Sequence, residues 1–348
     1  MCVWSAYVGK KQAAPEIWKS GVAIEGFWSG FYTGIATVDE NGIHSAKCCG
    51  YSKHWLEKFD LKDFPGKAGL FHSRTNSGGD DAWGHPFVGT NKRVALVGQG
   101  NDGVFSDMSI WAEAGNEVAE KGKVFPAHAY DVPLKRYPVL ADGAKVHVSE
   151  IMAQALEAAY EENGDAMATL RSIAGRLKEE AVSLIIFHDQ PDRIYFINMN
   201  QSCVIHFAED GAYASSSRMA FGLPLVKYTA LPINTIGYFT ADDLYVEKMP
   251  DPGFPILDTV PDGVMTAALK FLKDNPNSTL AQITDQGFGP LFPASGIRLR
   301  AITAHRLIET LLAEGWVSAS SSETEGPCGT KGLITRFSLT EKCAELFS

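Results

Sequence analysis

Long apolar runs are missing from this sequence. No uninterrupted stretch approaches the roughly 18 to 20 residues that cross a bilayer, which argues against a membrane-spanning helix. The N-terminus also reverses the order of a secretory leader, with apolar Val3–Val8 ahead of Lys10 and Lys11, so the expected location is the cytoplasm. Cysteine is scarce: six in 348 residues, with neither C-x₂-C nor His-rich zinc spacing. A disulfide scaffold and a zinc centre are both disfavoured, and the cysteines are expected to be reduced thiols. The adjacent pair Cys48-Cys49 is no exception, because neighbouring cysteines rarely close an unstrained bond. Positive charge is also in deficit. Lys plus Arg number 31 against 41 Asp plus Glu, a net of −10, which repels phosphate backbones and excludes a generic polyanion binder.

What is present is an ordinary globular composition, 45% hydrophobic and 21% charged, long enough for more than one core. Residues 1 to about 100 read as β-rich, with runs at 21–24, 34–39, 43–46, 70–74 and 94–97 and a hairpin signal at Asn41-Gly42. Residues 101–147 lack clear periodicity and carry Pro126, Pro133 and Pro138, the marks of an extended cover or a surface excursion. Helical spacing follows. Ile151, Met152, Ala155, Leu156, Ala159 and Tyr160 form one apolar face; Met167, Leu170, Ile173, Ala174 and Leu177 form another, with Asn163-Gly164 between them. Four strand-like runs at 183–188, 193–199, 203–208 and 211–215 then read as an antiparallel meander. Two sheets with helices outside them, an α+β sandwich, is the implied architecture.

Pro250, Pro252, Pro255 and Pro261 mark a stiff connector. Beyond it, helices are predicted at 264–272, after Ser278 as N-cap, and at 297–314; strands at 316–319 and 335–339 flank the Gly-rich segment 326–332. Three helices and a β-ribbon are the parts of a winged-helix module.

The chemically informative residue is Cys2. Removal of Met1 would expose a cysteine carrying a thiol and a free α-amine whose ordinary pKa is about 7.7 to 8.0, so that nucleophile and base share one residue. With it come Met1-Cys2-Val3-Trp4-Ser5-Ala6-Tyr7-Val8-Gly9, GFYTGIATVDENGI (30–43), FHSRTNSGGDDAWGHPF (71–87), RVALVGQGNDG (93–103), IYFINMNQSCVIH (194–206) and AYASSSRMAFG (212–222). In order and spacing these motifs resemble the class II, N-terminal-nucleophile glutamine amidotransferases, in particular the glutaminase domain of glucosamine-6-phosphate synthase. About 220 of the 348 residues are covered.

The resemblance implies a four-layer αββα sandwich in residues 1–225; the proline-rich composition and the element pattern beyond it place a connector at 226–261 and a winged-helix-like domain at 262–348. It implies that Cys2 attacks the side-chain amide of L-glutamine and releases ammonia. Arg74 would hold the substrate α-carboxylate by its planar fork of donors, and Ser77 would line the same pocket. The oxyanion donors would be Gln99 and Gly100, with Gln99 standing where the family has asparagine and Asn101 as the alternative in a shifted register. A second departure lies just before the first helix: the family's aspartate for the α-ammonium is replaced by His147 or Val148, leaving Asp142, Glu150, Asp102 or Asp131 as substitutes. No cofactor is implied, and no metal, since His72 and His85 fall where the family motif has histidines without a metal role.

Residues 226–348 resemble neither an isomerase nor a synthetase portion, so the ammonia acceptor is expected on another chain, with a homodimer as the default assembly. DNA is a disfavoured partner: 258–348 carry eight Lys or Arg and ten Asp or Glu, 8 − 10 = −2, although Arg298, Arg300, His305 and Arg306 share one helix. Two functions of different kind therefore stand: a glutamine-hydrolysing subunit that feeds ammonia to a partner, and a catalytically lapsed sensor whose winged helix contacts DNA or protein.

Overall fold

Strand alternation beginning at the N-terminus sets the architecture. In the computed structural model, which describes residues 2–100, 108–130, 137–177, 180–199, 201–250, 260–293 and 297–344, Val3–Gly9 lies in a seven-stranded antiparallel sheet. Its spatial order is Thr229–Ala230, Val204–Ala208, Gly211–Ser215, Val3–Gly9, Ala68–Arg74, Tyr32–Asp39, Gly42–Cys49. A six-stranded antiparallel sheet faces it, in the order Leu244–Lys248, Thr235–Phe239, Ile194–Asn198, Ala181–Phe187, Val94–Gly100, Phe87–Val88.

Period two decides which side chains meet. Trp4, Ala6 and Val8 join Ala36, Val38, Ala68 and Leu70 on the inner face of the first sheet, against Ala95, Val97, Val182, Leu184, Ile186 and Phe196 of the second. Tyr7, Ile35 and Phe71 point outward, under Ala13, Ala14 and Ile17 of the helix Ala13–Val22 and under Trp55. On the second sheet the outward residues Val94, Leu96, Ile185, Phe187 and Tyr195 pack against the helices Met108–Glu120, Val148–Asn163 and Ala166–Arg176 through Trp111, Ile151, Leu156, Leu170 and Ile173. Each fully buried Leu, Ile or Phe in these layers contributes roughly 1.5–3 kcal/mol of transfer free energy. Gly164 closes the first of the two consecutive helices in a left-handed cap, φ +65°, the conformation that the Asn163-Gly164 break requires.

Four expectations change. Residues 21–24, read as a β-run, instead end the helix Ala13–Val22 and continue into a turn. The aperiodic stretch at 101–147 contains a 13-residue helix, Met108–Glu120, whose buried face is Trp111, Ala114, Gly115 and Val118; small residues at two of those positions hide the period. The four runs read as one meander divide into two hairpins, 181–198 in the second sheet and 204–215 in the first. Residues 229–248, placed in the connector, supply strands to both sheets. Of the four connector prolines, Pro252 and Pro255 lie outside the described residues.

Beyond the connector the chain forms helices Val264–Asp274 and Ile297–Ala313, a short turn of helix capped by Thr279 rather than Ser278, and a hairpin of nine-residue strands, Val317–Glu325 and Lys331–Leu339. Ser278–Thr279 adds a third strand to the hairpin. This body is docked on the first sheet's end. Leu333 and Thr335 donate backbone N–H bonds to the Gly30 and Gly26 carbonyls (2.9 and 3.0 Å), and Phe27 meets Phe337 edge to face at 5.4 Å. Glu309, 4% exposed, accepts from Ser217 Oγ, Arg218 N and Arg218 Nε at 2.7, 3.0 and 2.9 Å. Val3 itself belongs to the apolar cluster of the C-terminal body.

The reduced-thiol expectation is corrected at two positions. Cys49 and Cys328, 279 residues apart, form a disulfide, while Cys2, Cys48, Cys203 and Cys343 are free. No periodicity or spacing announces a link over that separation.

Candidate active site

The same alternation that fills the inter-sheet layer delivers polar side chains where the layer ends. Trp4, Ala6 and Val8 face inward, so Cys2, two residues before Trp4, shares their face. Val3 lies opposite Ser73 in the antiparallel ladder, and continuing that register sets Cys2 opposite Arg74. Across the gap, Ala95 and Val97 face inward, which brings Gln99 to the same end of the second sheet.

One narrow cavity of about 80 Å³ opens there, lined by Cys2, Arg74, Ser77, Gln99 and Gly100 together with His85, Trp111, Tyr137, His147 and Ser149. Room of that size takes a handful of heavy atoms, a small molecule rather than a peptide. All five residues singled out in the sequence therefore line one space.

Arg74 is 2% exposed. Nη1 donates to the Gly78 carbonyl at 2.9 Å, Nη2 donates to the Tyr137 hydroxyl at 3.4 Å, and the guanidinium lies 4.8 Å from the Tyr32 ring centroid. These partners are neutral. A buried cation without a carboxylate partner among the described residues is costly until it is compensated, and an anionic group in the cavity can supply that compensation. Ser77 sits on the loop that follows, its N–H donating to the Thr75 carbonyl at 2.9 Å.

His72 ties the two sheets together. Nε2 donates to the Gly98 carbonyl at 2.8 Å, which fixes the tautomer and holds the Gln99-Gly100 end of its strand against the Arg74 strand. Burial drives its pKa down to about 3, so the ring is neutral at any physiological pH. His85 stacks on it with centroids 4.0 Å apart; burial holds it well below the ordinary histidine value, and neither ring nitrogen has a hydrogen-bond partner among the described residues. Gly100 tolerates no side chain, because a Cβ there would come within 2.6 Å of the Glu180 carbonyl.

Of the substitutes for the missing aspartate, the two among the described residues, Asp142 and Glu150, do not line the cavity. Asp142 Oδ1 accepts from Ala144 N at 2.9 Å and lines a different groove. Glu150 Oε2 accepts from Ala127 N at 2.7 Å and faces a second pocket beside Lys47; there burial lifts the Glu150 pKa to about 7 and lowers that of Lys47 to about 8. Asn101, Asp102 and Asp131 lie outside the described residues. His147 stands as N-cap of the helix Val148–Asn163, its Nδ1 accepting from Ser149 N at 3.1 Å. Trp111, Tyr137 and Ser149 were not foreseen as lining residues; Tyr137 follows an aperiodic proline-bearing stretch and carries no local signal.

No family model matches the chain. It is 22% identical over 289 residues to the isomerizing glutamine–fructose-6-phosphate aminotransferase of Thermococcus kodakarensis, covering 82% of this chain and 44% of that protein. With the protein of that description from Pyrococcus horikoshii it is 22% identical over 228 residues, 64% of this chain and 33% of the other. The chain thus spans less than half the length of these curated relatives. Among solved structures, glutamine phosphoribosylpyrophosphate amidotransferase from B. subtilis, complexed with ADP and GMP, superposes with a TM-score of 0.57 at 14% identity, over 92% of this chain and 66% of that one. The fold is that of the class II glutamine amidotransferases. A structure described as the allosteric regulatory enzyme of purine biosynthesis shares it, with a TM-score of 0.51 at 14% identity over 71% of this chain and 49% of that one.

Two of the basic residues of the helix Ile297–Ala313 are engaged within the molecule. His305 is 1% exposed and packs edge to face on Trp28 at 4.8 Å; Arg300 Nη2 lies 3.9 Å from Asp285 Oδ1. Arg306 is exposed, and the Arg298 side chain lies outside the described residues. Among the described residues no helix is long and apolar enough to cross a membrane.

Proposed function

We propose that this chain hydrolyses the side-chain amide of L-glutamine with an N-terminal cysteine nucleophile and passes the ammonia to an acceptor on another chain. One observation carries the reading: Cys2, Arg74, Ser77, Gln99 and Gly100, gathered from across a hundred residues, line a single small cavity. Removal of Met1 frees the Cys2 amine, which takes the thiol proton. The sulfur then attacks the amide carbon; charge on the carbonyl oxygen is met by the Gln99 side-chain amide and the Gly100 N–H. The C–N bond breaks, the leaving nitrogen takes the proton back as ammonia, and water hydrolyses the γ-glutamyl thioester to glutamate and free thiol. Arg74 holds the α-carboxylate and Ser77 contributes a hydroxyl. No cofactor enters these steps.

In this reading 1–225 is the amidotransferase-like domain and 226–261 the connector, though residues 229–248 lie within the two sheets; 262–348 is a winged-helix-like domain with a protein-docking rather than DNA-reading role. Ammonia release from L-glutamine by protein lacking Met1, compared with Cys2→Ala, tests it. The expected result is release above background in the first protein alone. Equal rates in both would remove the hydrolytic reading. A lapsed sensor is the second reading, favoured by His147 at the N-cap where the family resemblance calls for an acid; calorimetric binding of glutamine without ammonia release would select it.

A further inference from the structure

The Cys49–Cys328 disulfide joins three things that the sequence keeps apart. Cys49 ends the strand Gly42–Cys49 and is fully buried. Cys328 sits in the turn between the two long strands of the C-terminal hairpin, exposed and in a left-handed conformation (φ 56°, ψ 25°). The third member is the loop after Arg74. The Cys328 sulfur lies 3.9 Å from the Gly79 carbonyl, which also accepts from the Tyr32 hydroxyl at 2.9 Å; the preceding carbonyl, Gly78, accepts from Arg74 Nη1 at 2.9 Å. Asp81, two residues on, accepts from Cys49 N at 2.7 Å and holds a carboxylate oxygen within 4.8 Å of both sulfurs. The loop that carries Ser77 and anchors Arg74 is therefore clamped between the cavity on one side and the disulfide on the other.

The geometry points to a thiol-exchange site: a small thiol or dithiol opens Cys49–Cys328 at the exposed Cys328 sulfur, and opening loosens the 75–83 loop that walls the Cys2 cavity. An incoming thiolate bonds to Cys328 Sγ, the bond to Cys49 breaks, and the Cys49 thiolate takes up a proton. A second thiol then displaces Cys328 and leaves with the first as a disulfide, so the pair is reduced by two electrons that the thiols supply. Burial of Cys49 restricts attack to Cys328. In reducing compartments such links are characteristically transient and redox-sensing.

Neither activity nor glutamine is needed for the test. Differential alkylation and peptide mapping, before and after dithiothreitol, should find Cys49 and Cys328 protected only in the oxidised protein. Hydrogen exchange should then accelerate on reduction by about tenfold in peptides covering 75–83 and 327–333, with the inter-sheet strands unchanged. Cys328→Ser should exchange at the reduced rate in both conditions. Alkylation of both cysteines without reductant would overturn the inference, as would reduction that leaves exchange at 75–83 unchanged. Uptake of cobalt(II) by the reduced protein, with thiolate charge-transfer bands lost in Cys328→Ser, would also overturn it by making Cys49, Asp81 and Cys328 a metal site.

Discussion

The two bodies of the molecule are held together by different means. Between the two sheets, cohesion is apolar and repetitive, and chemistry appears only where the alternation runs out, at Cys2, Arg74 and Gln99. Between that sandwich and residues 260–344, cohesion adds specific polar and covalent links: Glu309 with Arg218 and Ser217, two backbone bonds from the hairpin to Gly26 and Gly30, and the Cys49–Cys328 disulfide. The junction reaches the residue next to Cys2, because Val3 is packed in the C-terminal core. The cavity end of the sandwich can thus be built from strand period alone, while its connection to a second body rests on single residues.

Substitutions at the two kinds of region separate those roles. The largest effect is expected from Cys2→Ala, which should lower ammonia release by about 10⁴-fold or more with no change in melting temperature; a coupled loss of folding would contradict the division. Next comes Arg218→Ala, which leaves the buried Glu309 carboxylate short of its cationic partner and should cost about 3–5 kcal/mol in urea unfolding. Arg218→Met combined with Glu309→Leu should recover most of it, and no recovery would show that the pair is not the link. Gln99→Leu should reduce kcat by about 10² to 10³ with KM little changed, whereas Gln99→Asn should retain the larger share.

The smallest effect belongs to the Lys47–Glu150 pocket. Burial raises the Glu150 pKa from 4.5 to about 7, so the native state favours its neutral form. That contribution is complete below about pH 4.5 and fades as pH rises through 7. Melting temperature followed across this window should decline more in the wild type than in Glu150→Gln; parallel curves would remove Glu150 as the cause.

Legibility followed signal type. The strands at 34–39, 70–74 and 94–97 and the helices at 148–163 and 166–176 were readable because apolar residues recur in strand-length runs or at period 3.6. Cys2, Arg74, Ser77, Gln99 and Gly100 were readable through motifs in register, and they do line one cavity. Helix Met108–Glu120 was not, since Ala114 and Gly115 occupy its inner face without hydropathic contrast. The partition of the 181–215 strands between two sheets escaped because both hairpins have the same local pattern. Trp111, Tyr137 and the disulfide partner of Cys49 depend on contacts between distant segments, for which a single sequence offers no period.

The central claim is that the sulfur of Cys2, on a chain that has lost Met1, becomes acylated by an amide held at Arg74. Acid quenching of the enzyme with L-glutamine, followed by mass spectrometry of the N-terminal peptide, measures this directly. The account predicts a γ-glutamyl adduct on Cys2 in a peptide that begins with that cysteine. An unmodified peptide, or one retaining Met1 in protein that still releases ammonia, would contradict it.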